Sequence, residues 1–287
     1  MRLTTISLLL AIGTLSMNNA VLAAPSPSVE KPAATTKMEE ATIAPHRAIY
    51  DMTLSSVKNG SNIADVSGKM IFEWADACDG WAIQQHLRLH FNYAEGDVSD
   101  VNSNEVTWES KDGKRYNFNI RRVQDGKETE DYRGKATLSG GDNDKAVYSS
   151  PEGKVVAFNR ETIFPSAHTK MIIEKASNGE HFFTRRVFDG TDEGGSNDVS
   201  VFISPPRTQH VEATADEKLD SNPLLAATAW PVHLAFFKID DDTGEPDYEM
   251  DLLLLSNGVA RSMKIDYGDF SVTGTLKAIE PLPAPHC

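Results

Sequence analysis

The 287-residue chain is acidic, with a formal net charge of −14, and it contains only two cysteines. This charge repels nucleic-acid phosphates, so the composition argues against a nucleic-acid-binding protein. No apolar run reaches the roughly 20 residues that a membrane-spanning helix needs, so no transmembrane segment is predicted.

The first 23 residues have the pattern of a secretory signal peptide. Arg2 provides the positive charge, Leu3 to Leu15 form a mostly apolar stretch without a charge, and Val21-Leu22-Ala23 fits the small-residue cleavage site. We therefore predict cleavage after Ala23 and export of the mature protein. Loss of Arg2 changes the net charge from −14 to −15.

Two further segments follow the predicted signal peptide. Residues 24–44 are predicted to be a disordered linker, because Pro25, Pro27 and Pro32 stand among small and polar residues. Residues 45–287 have the length of one large β domain, and no internal repeat divides them. We predict a single domain there.

From Tyr50 onwards, apolar and polar residues alternate, which is typical of strands with one dry and one wet face. The clearest alternation runs from Trp81 to Tyr93. Tight turns are predicted at Lys111-Asp112-Gly113-Lys114 and at Asn257-Gly258. Other predicted strands lie around Tyr50 to Leu54, Met70 to Trp74, Val106 to Trp108, Tyr116 to Ile120, Tyr132, Val147, Val155 to Phe158, Phe182 to Phe188, Val199 to Ile203, Glu249 to Leu255, Met263 to Tyr267 and Phe270 to Ile279. The pattern predicts a mainly β fold built as an antiparallel meander.

One longer helix interrupts the strands. Ser166 is predicted to be its N-cap, Ala167 to Ser177 its body, and Asn178-Gly179 its end. Its predicted buried side consists of Ala167, Met171, Ile172 and Ala176. A second, short helix is predicted at Asn222 to Ala227.

The two cysteines are far apart in the sequence. Cys78 lies in a predicted turn before Trp81, and Cys287 is the last residue. In an oxidising compartment such a pair is most simply a disulfide, and two free thiols are the alternative. A bond would close a loop of about 210 residues, for which the chain-entropy model gives roughly 5 kcal/mol as an upper figure.

Candidate catalytic and metal-binding residues have simpler structural explanations. His86 and His90 would lie about 13 Å apart on a strand, too far to share a metal ion. His168 fits a packed or capping histidine, and Asp240-Asp241-Asp242 lacks the spacing of a calcium loop. Nucleophile motifs are missing. We therefore predict no catalytic residue, no metal and no cofactor, with an unrecognised envelope hydrolase as the alternative.

Eight aromatic residues would share one concave face if consecutive strands pair: Phe72, Trp74, Trp81, Phe91, Tyr93, Trp108, Tyr116 and Phe118. An ordinary hydrophobic core explains this pattern. The alternative is a groove open to a ligand, as in the mouths of β-barrels. Trp74, Trp81, Phe91 and Trp108 are the candidate ligand-facing residues.

Several short motifs occur in a fixed order behind the signal peptide: Ala44-Pro45-His46-Arg47-Ala48-Ile49-Tyr50, Cys78-Asp79-Gly80-Trp81, Phe164-Pro165-Ser166-Ala167-His168, Val187-Phe188-Asp189-Gly190, Trp230-Pro231-Val232 and a terminal cysteine. This ordered set resembles the EipB family of periplasmic cell-envelope-integrity proteins, formerly a domain of unknown function. The resemblance covers the chain from Pro45 onwards.

The resemblance implies a monomeric protein in which one antiparallel sheet coils into a cup-like spiral with one or two packed helices. It also implies a Cys78–Cys287 disulfide, a role in envelope integrity under stress, and a functional link to a periplasmic tetratricopeptide-repeat protein. No catalytic residue follows from it. We therefore predict a non-enzymatic protein that acts through protein partners. The alternative is a carrier or sensor of an envelope lipid or muropeptide.

Overall fold

The computed structural model describes residues 41–287, apart from 142, 192–194, 208–216 and 240–242. The predicted signal peptide, residues 1–23, and residues 24–40 of the predicted linker lie outside the described residues. The acidic turn at 240–242 lies outside them too. Among the residues that are described, no helix is both long and apolar enough to cross a membrane.

The described chain is mostly β-strand. The strands are β1 (His46–Val57), β2 (Ile63–Asp76), β3 (Gly80–Tyr93), β4 (Val98–Ser110), β5 (Arg115–Gln124), β6 (Lys127–Thr137), β7 (Lys145–Ser150), β8 (Val155–Ala157), β9 (Thr162–Ile163), β10 (Phe182–Phe188), β11 (Ser196–Ile203), β12 (Ala229–Lys238), β13 (Tyr248–Leu255), β14 (Ala260–Asp266) and β15 (Phe270–Pro281). The helices are α1 (Pro165–Ser177) and α2 (Glu217–Asp220), and a 3-10 turn spans Pro223–Leu225.

All of these strands belong to one sheet, in the order β8-β7-β6-β5-β4-β3-β2-β1-β15-β14-β13-β12-β11-β10-β9. The first and last strands pair with each other at its centre, and the sheet extends from there to the edges β8 and β9. The pairs are antiparallel except for β9 with β10, which are parallel. The prediction of one long, mainly antiparallel sheet is confirmed, and the sheet is not closed.

The two halves of the sheet meet through side chains instead of strand pairing. Tyr116 and Phe118 on β5 pack against Phe164 and Phe188, with ring centres 5.0 Å apart for Tyr116–Phe164 and 5.5 Å for Phe118–Phe188. Gly190 has a φ of +75°, and a Cβ there would lie 2.7 Å from the Phe118 ring, so this close approach requires glycine. The sheet therefore coils back on itself, with a concave inner face.

Helix α1 packs against the inner face of the sheet. Ile172 and Ile173 belong to the same buried cluster as Trp74, Trp81 and Trp230. The predicted helix is wrong in two respects. Of its predicted buried side, Ala167 and Met171 are only half-buried whereas Ile173 is buried, and Ser166 is not the N-cap. The N-cap is Phe164, which has no side-chain cap bond, and Pro165 is the first helical residue.

Strand β12 was not predicted. Trp230, Val232 and Leu234 are buried on its inner face, whereas Pro231 interrupts the alternating pattern and lies opposite Leu253 of β13. Proline is rare in paired strands, which hides β12 from sequence analysis. The predicted short helix at 222–227 is the 3-10 turn, where the Asn222 side chain accepts a hydrogen bond from the Leu224 N–H at 3.0 Å.

Both ends of the described chain are fastened to the fold. Ile43 is 3% exposed, and the Ala44 N–H donates to the Asn257 carbonyl at 2.9 Å, so the last residues of the predicted linker are packed. The structure also contains a Cys78–Cys287 disulfide, with 5.9 Å between the Cα atoms, which is the pairing that the resemblance implies. The bond joins the turn between β2 and β3 to the segment after β15.

Candidate ligand-binding cavity

The inner face of the sheet surrounds a cavity of about 200 Å³, which we call the central cavity. Its apolar wall includes Phe72, Ile83 and Ile120, and helix α1 adds Pro165 and Thr169. Its polar wall consists of Gln85, Glu105, Thr107 and Asp189. A ligand in this cavity would therefore meet apolar surface and hydrogen-bonding groups together, which is typical of small-molecule sites.

Half of the polar wall comes from β4. Trp81 pairs with Glu109, and Gln85 pairs with Glu105, so the odd-numbered residues of β4 share the inner face with the odd-numbered residues of β3. Five of them are polar and form what we call the polar stripe: Ser99, Ser103, Glu105, Thr107 and Glu109. The inner face of this strand is therefore polar along most of its length.

Three of the four apolar residues of β4 are on the outer face, and Val101, which pairs with Leu89, is on the inner face. Val98 is 61% exposed and Val106 is 44% exposed. Trp108 pairs with Ala82 and covers Gly80, where a Cβ would lie 2.3 Å from the indole. The prediction that Trp108 shares the concave face is wrong, because alternation shows which residues share a face but not which face is the inner one.

Glu105 is the charged group at the centre of the polar wall. Burial raises the pKa of its carboxyl, the nearby Asp189 carboxylate raises it further, and Arg122 lowers it. Among the described residues its one hydrogen bond comes from Ser103 Oγ, at 3.3 Å. The Arg122 guanidinium is bonded to Glu130 at 2.6 Å instead. Glu105 thus faces the cavity without a counter-ion bonded to it.

Asp189 is held by its own turn after β10. Its carboxylate accepts from the Thr191 N–H at 2.9 Å and from Thr191 Oγ1 at 2.7 Å. Its carbonyl oxygen accepts from the Tyr116 hydroxyl at 3.0 Å. These bonds fix Asp189 beside the cavity, and its negative charge adds to that of Glu105.

Glu109, at the end of the polar stripe, caps helix α1. It is 2% exposed, and its two carboxylate oxygens accept from the Ser166 N–H at 2.7 Å and the Ala167 N–H at 2.9 Å. These are helix donors without an intrahelical partner, so Glu109 does what the predicted N-cap Ser166 was expected to do. Burial raises the pKa of Glu109 to about 7, although both backbone bonds oppose the shift.

His168 lies on α1 and is 7% exposed, with its ring 5.9 Å from that of Phe183. Burial lowers the pKa of His168 to about 4, and the charge of Arg185 lowers it further. This position agrees with a packed histidine. His86 and His90 are bonded separately, to Asn104 at 2.5 Å and to Asp100 at 3.2 Å.

The other three candidate ligand-facing residues lie on the inner face, but they differ in how far they are exposed and in whether they line the central cavity. Trp74 and Trp81 are 3% and 8% exposed and are packed with α1, and of the two only Trp74 lines the central cavity. Phe91, at the opposite end of β3, is half-buried and lies 5.7 Å from Phe270. The structure thus assigns Trp81 to the core and leaves Trp74 beside the cavity.

An unpredicted group of tyrosines lies toward the Phe91 end. Tyr248 stacks on Phe236 at 4.2 Å, and Tyr267 stacks on Phe270 at 5.1 Å. Burial raises the pKa of Tyr248 well above its usual value, and the Asp189 and Glu105 carboxylates raise it further. These aromatic residues therefore lie near the polar wall. Among the described residues, no cluster of three or more His, Cys, Asp or Glu could hold a metal ion.

Known proteins share this sequence and fold. A family model described as EipB-like matches residues 37–283. The cell envelope integrity protein EipB of Brucella abortus (strain 2308) is 29% identical over 241 residues, which are 83% of this chain and 84% of that protein. A crystal structure of a beta-barrel-like protein of a domain of unknown function from Brucella abortus has a TM-score of 0.77 and 27% identity, and the match covers 85% of this chain and 100% of that one.

Proposed function

The chain belongs to the EipB-like family. From that premise we propose that it helps to maintain cell-envelope integrity as a periplasmic, monomeric protein that binds other molecules without transforming them. The name of its Brucella relative supports the envelope role. Export depends on residues 1–23 acting as a cleaved signal peptide. Residues 24–44 form a linker whose last residues pack on the single domain 45–287.

The observation that carries this proposal is the central cavity. It places the half-buried groups Gln85 and Glu105 beside the Phe72 ring, so a ligand would find both polar and apolar contacts. We propose that an envelope component, a lipid or a cell-wall fragment, occupies it.

Binding is favoured over catalysis for two of the buried titratable groups, Glu109 and His168, because both have structural roles. Both oxygens of Glu109 are bonded to the start of α1. His168 is enclosed between α1 and Phe183. General acid–base catalysis needs such a group within hydrogen-bond reach of a substrate, and neither of them lines the central cavity. Glu105 and Asp189 do line it, and they are the carboxyls on which the alternative of an envelope hydrolase depends.

A second candidate function, protein-partner binding, is favoured by two exposed phenylalanines. Phe182 and Phe202 lie opposite each other on β10 and β11 and are 63% and 52% exposed. Exposed aromatic pairs are common at protein interfaces. A tetratricopeptide-repeat protein is the partner class that the family resemblance implies.

Native mass spectrometry of the mature protein, purified gently from its own periplasm, tests the ligand. We expect a reproducible non-covalent mass of lipid or muropeptide size on a monomer whose sequence begins at Ala24. A bare monomer in every preparation would contradict the ligand proposal. A pull-down from native periplasm that compares the double variant Phe182→Ser/Phe202→Ser with wild type tests the second candidate function. We expect the variant to lose envelope proteins that wild type captures. If variant and wild type capture the same envelope proteins, the second candidate fails.

A further inference from the structure

The size of the central cavity limits what it can hold. A volume of about 200 Å³ corresponds to roughly seven water molecules at about 30 Å³ each, which is close to the volume of one hexose ring. A whole lipid with its acyl chains is several times larger. The cavity therefore fits one ring-sized unit of a larger molecule.

The polar wall has more hydrogen-bond acceptors than donors. In the part of the chain that the structure describes, Glu105 receives one long hydrogen bond, from Ser103, and the Arg122 guanidinium is bonded to Glu130. Asp189 adds a second negative charge to the same wall. A ligand that fills this space must donate hydrogen bonds, because burying a carboxylate without donors is costly.

The apolar wall requires that the same ligand also have an apolar side. The Phe72 ring and the side chains of Ile83 and Ile120 line the cavity beside the acceptors. The indole N–H of Trp74, a residue that lines the cavity and is 3% exposed, has no hydrogen-bond partner among the described residues. An alkyl chain could contact Phe72 but would leave Glu105 without donors. A sugar ring has hydroxyl donors on its edge and C–H groups on its faces.

We propose that the central cavity binds one saccharide unit of an envelope glycan. The C–H face of the sugar contacts Phe72, and its hydroxyl or amide hydrogens are donated to Glu105 and Gln85. This assignment rests on the proposed ligand-binding function and names the chemical class of the ligand. The remainder of the glycan lies outside the cavity.

Ligand-observed NMR with methyl N-acetylglucosaminide tests the assignment on the mature, disulfide-bonded protein. The variants are Glu105→Gln, which keeps the side-chain shape and removes the charge, and Phe72→Leu, which keeps an apolar side chain without a ring. Glu95→Gln in the exposed turn after β3 is the matched control. Loss of a charged hydrogen bond should weaken binding about tenfold in Glu105→Gln, whereas the control should match wild type.

Lauric acid serves as the comparison ligand. Sugar binding that weakens in both Glu105→Gln and Phe72→Leu supports the assignment. Sugar binding that is equal in all variants overturns it, because the sugar then binds elsewhere. If lauric acid binds in place of the sugar, and binds more tightly to Glu105→Gln, the saccharide assignment fails while the ligand-binding function remains. If neither probe binds and native mass spectrometry shows a bare monomer, both fail.

Thermal unfolding of each variant shows whether it is folded. If Phe72→Leu is unfolded, Gln85→Ala replaces it, since Gln85 lines the same cavity and lies on the adjacent strand β3. If the folded Gln85→Ala variant and the Glu105→Gln variant both bind the sugar as tightly as wild type does, the assignment is also overturned.

Discussion

Strands β4 and β13 each turn one face towards the inside of the coiled sheet, and the two faces differ in chemistry. The inner face of β13 presents Tyr248, Met250, Leu252 and Leu254. Its outer face carries Glu249 and Asp251, both within 3.3 Å of His233. Strand β13 therefore has an apolar inner face, and its outer face is polar at Glu249 and Asp251 but apolar and buried at Leu253 and Leu255.

Strand β4 differs from it. Its inner face is polar apart from Val101, and its outer face carries Asp100, Asn102 and Asn104 besides the exposed Val98 and Val106. Stability alone does not explain polar residues on an inner face, because apolar side chains there would be removed from water at a gain of about 25 cal/mol per Å². The inner face of β13 belongs to the core, and the polar inner face of β4 supports the proposed ligand site.

The largest expected effect comes from placing a carboxylate on the inner face of β13 and removing one from the inner face of β4. Leu254→Asp places a carboxylate where the side chain is 3% exposed, and we expect it to destabilise the fold by more than about 4 kcal/mol. Glu105→Leu removes a carboxyl whose pKa is raised by burial and should leave stability unchanged or higher. Urea unfolding followed by tryptophan fluorescence measures both.

Asp251→Asn on the outer face of β13 is the control for a change of charge on that strand, and it should stay within about 0.5 kcal/mol of wild type. An equally large destabilisation by Glu105→Leu would contradict the comparison, since the polar stripe would then be needed for folding.

The disulfide tests whether the two strands belong to one cooperative unit. Cys78 and Cys287 are separated by 209 positions in the sequence, so the bond restricts most of the unfolded chain. Replacing both cysteines with serine should reduce the free energy of unfolding by about 2–5 kcal/mol. We expect the midpoint to fall while a single transition remains. Wild type in reductant should behave in the same way, and two separate transitions would show that the strands unfold independently.

Glu109, at the end of the polar stripe, and His168, on α1, should make the free energy of unfolding depend on pH in opposite directions. The folded-state pKa of Glu109 is about 7, above its unfolded value of about 4.5, so its contribution is greatest below pH 4.5 and is lost as the pH rises through 7. The folded-state pKa of His168 is about 4, below its unfolded value of about 6.5, so its contribution is present above pH 6.5 and is lost as the pH falls through 4.

The two effects oppose each other in wild type and should be resolved by substitution. Relative to wild type, Glu109→Gln should gain stability as the pH rises from 5 to 8, and His168→Gln should gain stability as the pH falls from 7 to 5. Each change is of the order of 3 kcal/mol over the full shift, at about 1.4 kcal/mol per pKa unit. The change is measured from the free energies of unfolding of wild type and of each variant at four pH values. Parallel profiles for wild type and both variants would show that neither group changes its pKa on folding.

The sequence predicts the positions of most strands well, because alternation and turn residues are local properties. Trp81 to Tyr93 and the turn at 111–114 are examples, and both are confirmed. The resemblance to a known family also predicts the coiled sheet correctly. Strand β12 is missed, since Pro231 breaks its alternation.

The candidate site is less predictable, because it depends on register and on distant contacts. The same alternation in β4 fits either face, and only its pairing with β3 places Glu105 inside and Trp108 outside. The cap of α1 comes from Glu109, which lies 57 positions before Ser166, so no local motif reveals it. Polar residues at every second position of a strand, such as Ser103, Glu105 and Thr107, are the pattern that could have indicated a polar inner wall.

The smallest expected effect is the most direct test of the orientation of β4. Val106 on its outer face is 44% exposed, whereas Val201 on the inner face of β11 is 0% exposed. Valine and threonine have nearly the same shape, so Val→Thr at each position changes polarity with little change in volume. Val106→Thr should alter the free energy of unfolding by less than about 0.5 kcal/mol, because its hydroxyl stays in water. Val201→Thr should cost about 1–3 kcal/mol, because its hydroxyl is buried among apolar side chains. Equal losses at the two positions, measured by urea unfolding, would mean that Val106 is buried in solution and that β4 has the same orientation as β13.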